Sequence, residues 1–286
     1  MALRLQRWAL YFCLAAATFY LLAPVVWMLL LSFMTQAEAL STPPHWIPLH
    51  PTLSNYAAFV HPDSSGAQFG GAEAAALPQS MLNSVIVALW VAGLNVVLGT
   101  MAGYSFARLD FRGRNLLMVS YLVARMIPAV GIMIPLFVVL NKLGLLNHLA
   151  SLVLTETSET LPFSIWLLAA YFRTIPPDLE HAARVDRCSW SRAMLKVFLP
   201  IARPALAAVA VFAFMESWGA FLYPLLFTPG DNTTLPVTVA GFATNVQIDY
   251  GLLATAGVLA VIPPFILAFL FQRWIVQGMA SGAVTG

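Results

Sequence analysis

Charge is what this sequence has least of. Its 286 residues carry 14 Lys and Arg and 12 Asp and Glu, 9% in all, against roughly 25% in an ordinary soluble domain. A water-soluble fold needs a polar skin, and so few charges cannot cover a body of this size. A soluble enzyme and a disordered chain are therefore excluded. A net charge of +2 leaves no basic surface on the scale that phosphate backbones demand, which excludes a nucleic-acid binder. Two cysteines cannot build a disulfide framework. Cys13 falls in an apolar run and Cys188 in a polar loop, and both read as inert. The chain lacks a Gly-x4-Gly-Lys-Ser/Thr phosphate loop, a His-Glu-x-x-His pair and a Gly-x-Ser-x-Gly elbow. No catalytic residue, cofactor site or metal-ligand set is expected in it. Internal repeats and low-complexity tracts are missing as well.

What is there is apolar. Hydrophobic residues make up 60% of the chain and the mean hydropathy is +0.82, which places it in a bilayer. A spanning helix needs about 20 mostly apolar residues, and six stretches qualify: Leu10–Phe33, Met81–Ala107, Leu116–Leu140, Ser151–Phe172, Pro204–Phe227 and Gly251–Gln272. The fourth and fifth carry acids and are weaker by hydropathy, yet Leu161–Phe172 and Val209–Phe227 are too apolar for exposed loops. The run from Trp8 to Phe33 exceeds a signal-peptide core of about 7–15 residues and reads as an uncleaved first span. The expected fold is an all-α polytopic membrane protein, a single domain over residues 1–286.

Twelve of the 14 Lys and Arg fall on one side of these spans: Arg4, Arg7, Arg108, Arg112, Arg114, Arg173, Arg184, Arg187, Arg192, Lys196, Arg203 and Arg273. Only Lys142 falls on the other, and Arg125 lies inside a span. The positive-inside rule then puts both termini in the cytoplasm. The outer side holds Met34–Ser80, rich in turn formers and free of Lys and Arg, and Pro224–Tyr250, with the turn signal Pro229-Gly230-Asp231-Asn232.

The cytoplasmic segment Arg173–Arg203 is too polar to span and too long for a simple turn. Pro176-Pro177-Asp178 ends one helix and starts another, with Asp178 near the positive end of the dipole. Ser189 suits a second N-cap, and Leu199-Pro200 closes the segment before the fifth span. Two short helices joined by a bend are expected. Ala182 and Ala183 permit close approach, while Glu180, Arg184, Asp186 and Arg187 can pair with a polar partner surface. The alternative is a solvated amphipathic loop that merely covers the bundle.

The stretch Leu179–Arg187 continuing to Val197-Phe198-Leu199-Pro200 resembles the EAA loop of ABC-importer permeases, whose pattern is Glu-Ala-Ala, three residues, Gly, nine residues, Ile-x-Leu-Pro. Ala182, Ala183, Leu199 and Pro200 agree, while His181 stands for the Glu and Arg187 for the Gly. The wider chain is similar to the carbohydrate branch, resembling the smaller membrane subunit of maltose-type importers. Leu31-Ser32-Phe33, Pro43–Pro48, Asn55-Tyr56, Asn83-Ser84, Ala102–Arg114, Thr234-Leu235-Pro236-Val237 and the tail Gly278–Gly286 carry that resemblance in order and spacing. The resemblance implies a MetI-like permease core whose coupling helix docks on a cytoplasmic ATPase, through Glu180, His181, Ala182, Ala183, Arg184, Asp186 and Arg187. It implies a second permease, two ATPase subunits or an ATPase homodimer, an extracytoplasmic solute-binding protein and a sugar as partners, in a bacterial inner membrane. ATP and Mg would be bound by the ATPase, not by this chain.

Charges inside spans are costly, about 2.5–3.5 kcal/mol each on insertion scales. Arg125 and Glu216 lie roughly 13 and 18 Å into their spans at about 1.5 Å per residue, a depth that permits an ion pair, either structural or serving as a gate or substrate contact. Glu156 and Glu159 share a helical face flanked by Thr155 and Thr160 and are candidates for lining a sugar path, with helix–helix hydrogen bonding the alternative. Trp218 and Tyr223 offer stacking rings, with bilayer anchoring the alternative for Tyr223, and Asn83 is a further candidate on the path. A glycerol phosphate or amino-sugar compound is another possible solute, but a phosphate calls for cavity cations and only Arg125 qualifies. A stand-alone secondary transporter or channel predicts paired inverted repeats or half-helices broken at matched positions, and none is evident.

Overall fold

The computed structural model describes residues 2–60, 71–179, 185, 188–243 and 248–283. Within them the chain is mostly helical and no strand forms. An isolated antiparallel bridge joins Ala243 and Ile248. The helices are α1 (Ala2–Leu31), α2 (Gln36–Ala39), α3 (Ser54–Val60), α4 (Gly71–Arg108), α5 (Arg114–Ala124), α6 (Ala129–Lys142) and α7 (Leu149–Thr174). After these comes α8 (Trp190–Ala193), which runs through a π-helical stretch, Met194–Phe198, into a last turn, Leu199–Ile201. The chain then forms α9 (Arg203–Trp218), α10 (Leu222–Phe227), α11 (Leu235–Gly241) and α12 (Tyr250–Ala283).

Among the described residues three helical stretches are long and apolar enough to cross a membrane: Gln6–Leu31, Gly71–Arg108 and Tyr250–Trp274. Two bent pairs bring the number to five. One is α5 with α6, which replace the single third span expected over Leu116–Leu140 and meet at 95°. Pro128 caps α6 at φ −57°, ψ 133°; it has no N–H to continue the ladder and pushes the preceding residue out of the helical region. Summed hydropathy is blind to such a turn because Met126, Ile127 and Pro128 keep the run apolar. The other pair, Met194–Ile201 with α9, bends by 72° where Ala202 and Pro204 start a new helix. The fifth expected span, Pro204–Phe227, is likewise divided: α9 stops at Trp218, with Gly219 as its C-cap, and α10 follows.

Helix α7 is 26 residues long and takes the place of the fourth expected span. Its Glu156, Thr157, Glu159 and Thr160 lower its hydropathy. Burial explains how it tolerates Glu156, Thr157 and Thr160, whereas Glu159 is exposed. Ser151, Thr155, Glu156, Thr157, Thr160 and Ser164 are buried, while Leu154 and Trp166 are exposed. Buried polar residues over Ser151–Ser164 beside exposed Leu154 and Trp166 suit an apolar solvent, in which polar groups turn to neighbouring helices.

The chain packs as two compact units, Met1–Pro78 with Thr238–Ile262, and Gln79–Val237 with Pro263–Gly286. In the first, the Asn55 carboxamide donates to the carbonyls of Ser32 (2.9 Å) and Met34 (2.8 Å). The Tyr56 and Ser32 hydroxyls lie 2.8 Å apart. Gln36 pins the start of α12, donating to the Ile248 carbonyl at 2.6 Å and accepting from the Tyr250 N–H at 2.9 Å. The second unit contains the candidate site.

Candidate functional site

The second unit is organised around the seam between α4 and α7. Gly99 and Gly103, four apart on α4, let the backbones approach closely. A Cβ at Gly103 would lie 2.8 Å from the Leu168 Cβ and 3.1 Å from the Ala169 nitrogen. Above the glycines, buried Asn95 donates to the Thr160 hydroxyl at 2.8 Å and accepts from the Ser164 hydroxyl at 2.7 Å. Below them, Tyr104 packs edge-on against Phe172 at 5.8 Å. At the C-terminal ends, Arg108 donates to the Ile175 carbonyl at 2.5 Å and Arg173 to the Phe106 carbonyl at 3.5 Å. The two helices are thus tied by close contact, a polar network and a reciprocal pair of arginines.

The segment returning from the EAA-like loop sits on this seam. Ser189 accepts from the Arg192 N–H at 3.4 Å, capping α8. Met194, Phe198 and Ala202 are buried in one cluster with Tyr104, Leu168, Phe172 and Ile175. The Phe198 ring lies 5.3 Å from that of Tyr104, and Tyr171 donates to the Ile201 carbonyl at 3.1 Å. The residues expected to grip an ATPase, Glu180, His181, Ala182, Ala183, Arg184, Asp186 and Arg187, lie outside the described residues.

The intramembrane acids separate. Glu156 is buried; its Oε2 accepts a hydrogen bond from the Ser217 hydroxyl of α9, and its Oε1 has no hydrogen-bond partner among the described residues. Glu159 is exposed and borders a cavity of about 270 Å³ with Arg125, Ser158 and Tyr223. Arg125 and Glu216 come together, Nη2 to Oε1 at 3.5 Å. The guanidinium also lies over the rings of Phe163 (5.5 Å) and Phe212 (5.3 Å), where its charge meets the negative ring faces. Arg125 is the C-cap of α5, so it also meets the negative end of that helix dipole.

The remaining candidates are held internally. Trp218 is buried and stacks on Phe214 at 5.7 Å and 12°. Asn83 is buried, donates to the carbonyls of Asp231 (3.1 Å) and Thr233 (2.9 Å) and accepts from Gln79 at 3.0 Å. Next to it, the Ser84 hydroxyl accepts from the Leu235 N–H at 2.8 Å. Among the described residues no group of His, Cys, Asp and Glu is placed to hold a metal. Sequence reasoning missed Asn95, Arg108 and Ser217. An Asn inside the apolar run Val91–Leu98 was a usable signal for the first, because an amide in hydrocarbon needs a partner.

Residues 95–281 match the family described as binding-protein-dependent transport system inner membrane component. This chain belongs to that family. It is accordingly an ABC transporter permease, a non-catalytic, multi-pass inner-membrane subunit. The permease is 36% identical over 264 residues to the diacetylchitobiose uptake system permease protein NgcG of Streptomyces coelicolor, covering 91% of this chain and 83% of that one. It is 32% identical to the trehalose/maltose transport system permease protein MalG of Thermococcus litoralis, covering 93% and 92%. Its fold is similar to a chain in a crystal structure of a bacterial ABC transporter involved in the import of the acidic polysaccharide alginate. The TM-score is 0.77 at 19% identity, over 95% of this chain and 97% of that one. The MetI-like permease fold is thereby established.

Proposed function

We propose that this permease forms half of the translocation path of an ATP-driven importer for a sugar or sugar derivative. A cytoplasmic ATPase drives it by gripping the loop 173–203. The chain crosses the membrane six times with both termini in the cytoplasm. It works with a second permease, a pair of ATPase subunits that bind ATP and Mg, and an extracytoplasmic solute-binding protein.

The observation that carries this reading is the seat of the loop's return segment. Phe198 and Ala202 are fully buried against the α4–α7 seam. A close-packed block of this kind moves as a unit rather than deforming. A push on the loop therefore reaches α7, which carries Glu156 and Glu159, and α9, which follows Ala202 directly. Two relatives whose names specify trehalose/maltose and diacetylchitobiose transport support a saccharide. So does Arg125: already balanced by Glu216 and two aromatic rings, it is poorly available to a phosphate, which disfavours a glycerol phosphate solute.

The test is co-expression with the partner subunits. The permease should co-purify with an ATPase and a second permease, and Ala183→Trp should abolish solute-stimulated ATP hydrolysis while leaving the permease in the membrane. Full coupling in that variant would refute the docking role.

A further inference from the structure

We propose that the groove between α4 and the return segment Met194–Ile201 binds one membrane lipid, an anionic phospholipid whose acyl chain fills the groove and whose phosphate meets Arg192 and Lys196. The inference goes beyond the importer reading and takes from it only the cytoplasmic placement of the loop 173–203.

The groove, about 390 Å³, is lined by Val96, Val97, Thr100 and Met101 of α4 and by Leu195 and Leu199 of the return segment. The one hydroxyl among these side chains, that of Thr100, is already used, donated to the Val96 carbonyl of its own helix. A polar solute would give up its hydrogen bonds to water here and gain none, whereas a hydrocarbon chain has none to lose. Val97, Met101 and Leu195 are each more than half exposed, so a chain can lie along the groove from the side. Met101 and Val96 precede Arg108 by seven and twelve residues, about 10 and 18 Å along the helix. With a hydrocarbon core about 30 Å thick, the groove is within reach of acyl chains from the leaflet on the Arg108 side.

Charge says which lipid. Residues 189–203 contain Arg192, Lys196 and Arg203 and no Asp or Glu. Arg192 lies about one turn before Leu195 and Lys196 directly after it; both are exposed and neither forms an ion pair among the described residues. Long basic side chains run their stems along apolar surface and hold their heads at headgroup level. Cations beside an apolar slot between helices complement both parts of an anionic lipid, whereas a zwitterionic lipid carries its own compensating cation. An apolar helix of a second subunit would answer the groove but not the cations. The lipid would also brace the segment that the loop moves. Met194 and Phe198 bury one side of it against the α4–α7 seam, and the stretch between them is π-helical, a winding frequent at functional sites.

The assembled transporter, with its partner subunits in lipid nanodiscs, is photolabelled with phosphatidylglycerol or phosphatidylcholine carrying the same acyl-chain diazirine, and the labelled peptides are mapped. Label is expected on residues 96–101 and 194–199, at least about fivefold heavier from phosphatidylglycerol, the bias that one cation near an anionic headgroup supplies. Arg192→Gln combined with Lys196→Gln should bring the two lipids level while leaving label in the groove. Val97→Phe, at an exposed position, should fill the groove and lower label from both lipids severalfold. Competition on the unaltered transporter gives the same ranking without any substitution: unlabelled phosphatidylglycerol should displace the label at concentrations severalfold below phosphatidylcholine. Equal labelling by the two lipids, or a groove left unlabelled in the assembled transporter because a partner subunit covers it, would overturn the proposal. An impermeant maleimide applied to either side of sealed vesicles reads the loop's placement separately through Cys188, in a Cys13→Ser background. Reaction from the outer side would contradict that placement and the importer reading with it. Reaction only from the cytoplasmic side, with no preference for phosphatidylglycerol, would sink the lipid site alone.

Discussion

Adding one methyl group at Gly103 tests whether the α4–α7 seam is as tight as its geometry says. The new Cβ would sit 2.8 Å from the Leu168 Cβ, 3.1 Å from the Ala169 nitrogen and 3.3 Å from the Ile165 carbonyl oxygen. Carbon atoms rest at about 3.5–4.0 Å, so the helices must part by roughly 1 Å. Neither a Cβ nor a backbone atom can swing aside, unlike the end of a flexible side chain. The separation would also strain the Asn95 hydrogen bonds to Thr160 and Ser164, at 2.8 and 2.7 Å. Overpacking of this kind costs about 1–3 kcal/mol. For a chain of this size that lowers the melting temperature by roughly 2–10 °C. The assay is thermal unfolding of the purified permease followed by tryptophan fluorescence, with two controls on the same helix. Gly99→Ala meets the flexible Cδ1 of Leu168 at 3.2 Å and should cost less. Gly93→Ala meets nothing within 4 Å and should be neutral or slightly stabilising, since Ala is the better helix former. If Gly103→Ala melts with Gly93→Ala, the seam is not close-packed and cannot transmit motion as argued.

Other outcomes follow from the same geometry. A double-mutant cycle on Arg125→Met and Glu216→Gln should return a favourable coupling of more than about 1 kcal/mol, because the charges lie 3.5 Å apart within spanning segments, where they are screened less than in water. No measurable coupling would contradict the pairing. Asn83→Ala removes the donor to the carbonyls of Asp231 and Thr233 and should destabilise the turn there by about 1–3 kcal/mol, read as faster amide exchange over residues 228–235. Ser217→Ala leaves both Glu156 oxygens without a donor and should lower thermal stability more than Ser120→Ala, whose hydroxyl is exposed and bonds only its own helix.

Much of the architecture was legible because the physics of a bilayer is coarse. A chain with few charges and long apolar runs has to form helices, since lipid offers no partner to the backbone. Short marks read separately along the sequence turn out to be contacts. Leu31-Ser32-Phe33 meets Asn55-Tyr56 through the Asn55 and Tyr56 hydrogen bonds to Ser32. Asn83-Ser84 meets the segment around Thr234-Leu235 through the Asn83 and Ser84 hydrogen bonds to the Thr233 carbonyl and the Leu235 N–H. What hydropathy could not reveal is direction: the 95° turn at Pro128 lies inside a run that stays apolar on average despite Arg125. Helical periodicity also has limited angular resolution. Glu156 and Glu159, three residues apart, fall either side of the edge of the α7–α9 contact. One is buried beside Ser217 and the other borders the cavity.

The central claim is that this subunit is moved from the cytoplasm and has no pump of its own. The direct measurement is solute accumulation in lipid vesicles. The permease reconstituted alone should accumulate no sugar against a gradient, whatever proton or sodium gradient is imposed. With its second permease, ATPase and binding protein present, ATP should drive accumulation. Uphill uptake by the permease alone on an ion gradient would contradict the account.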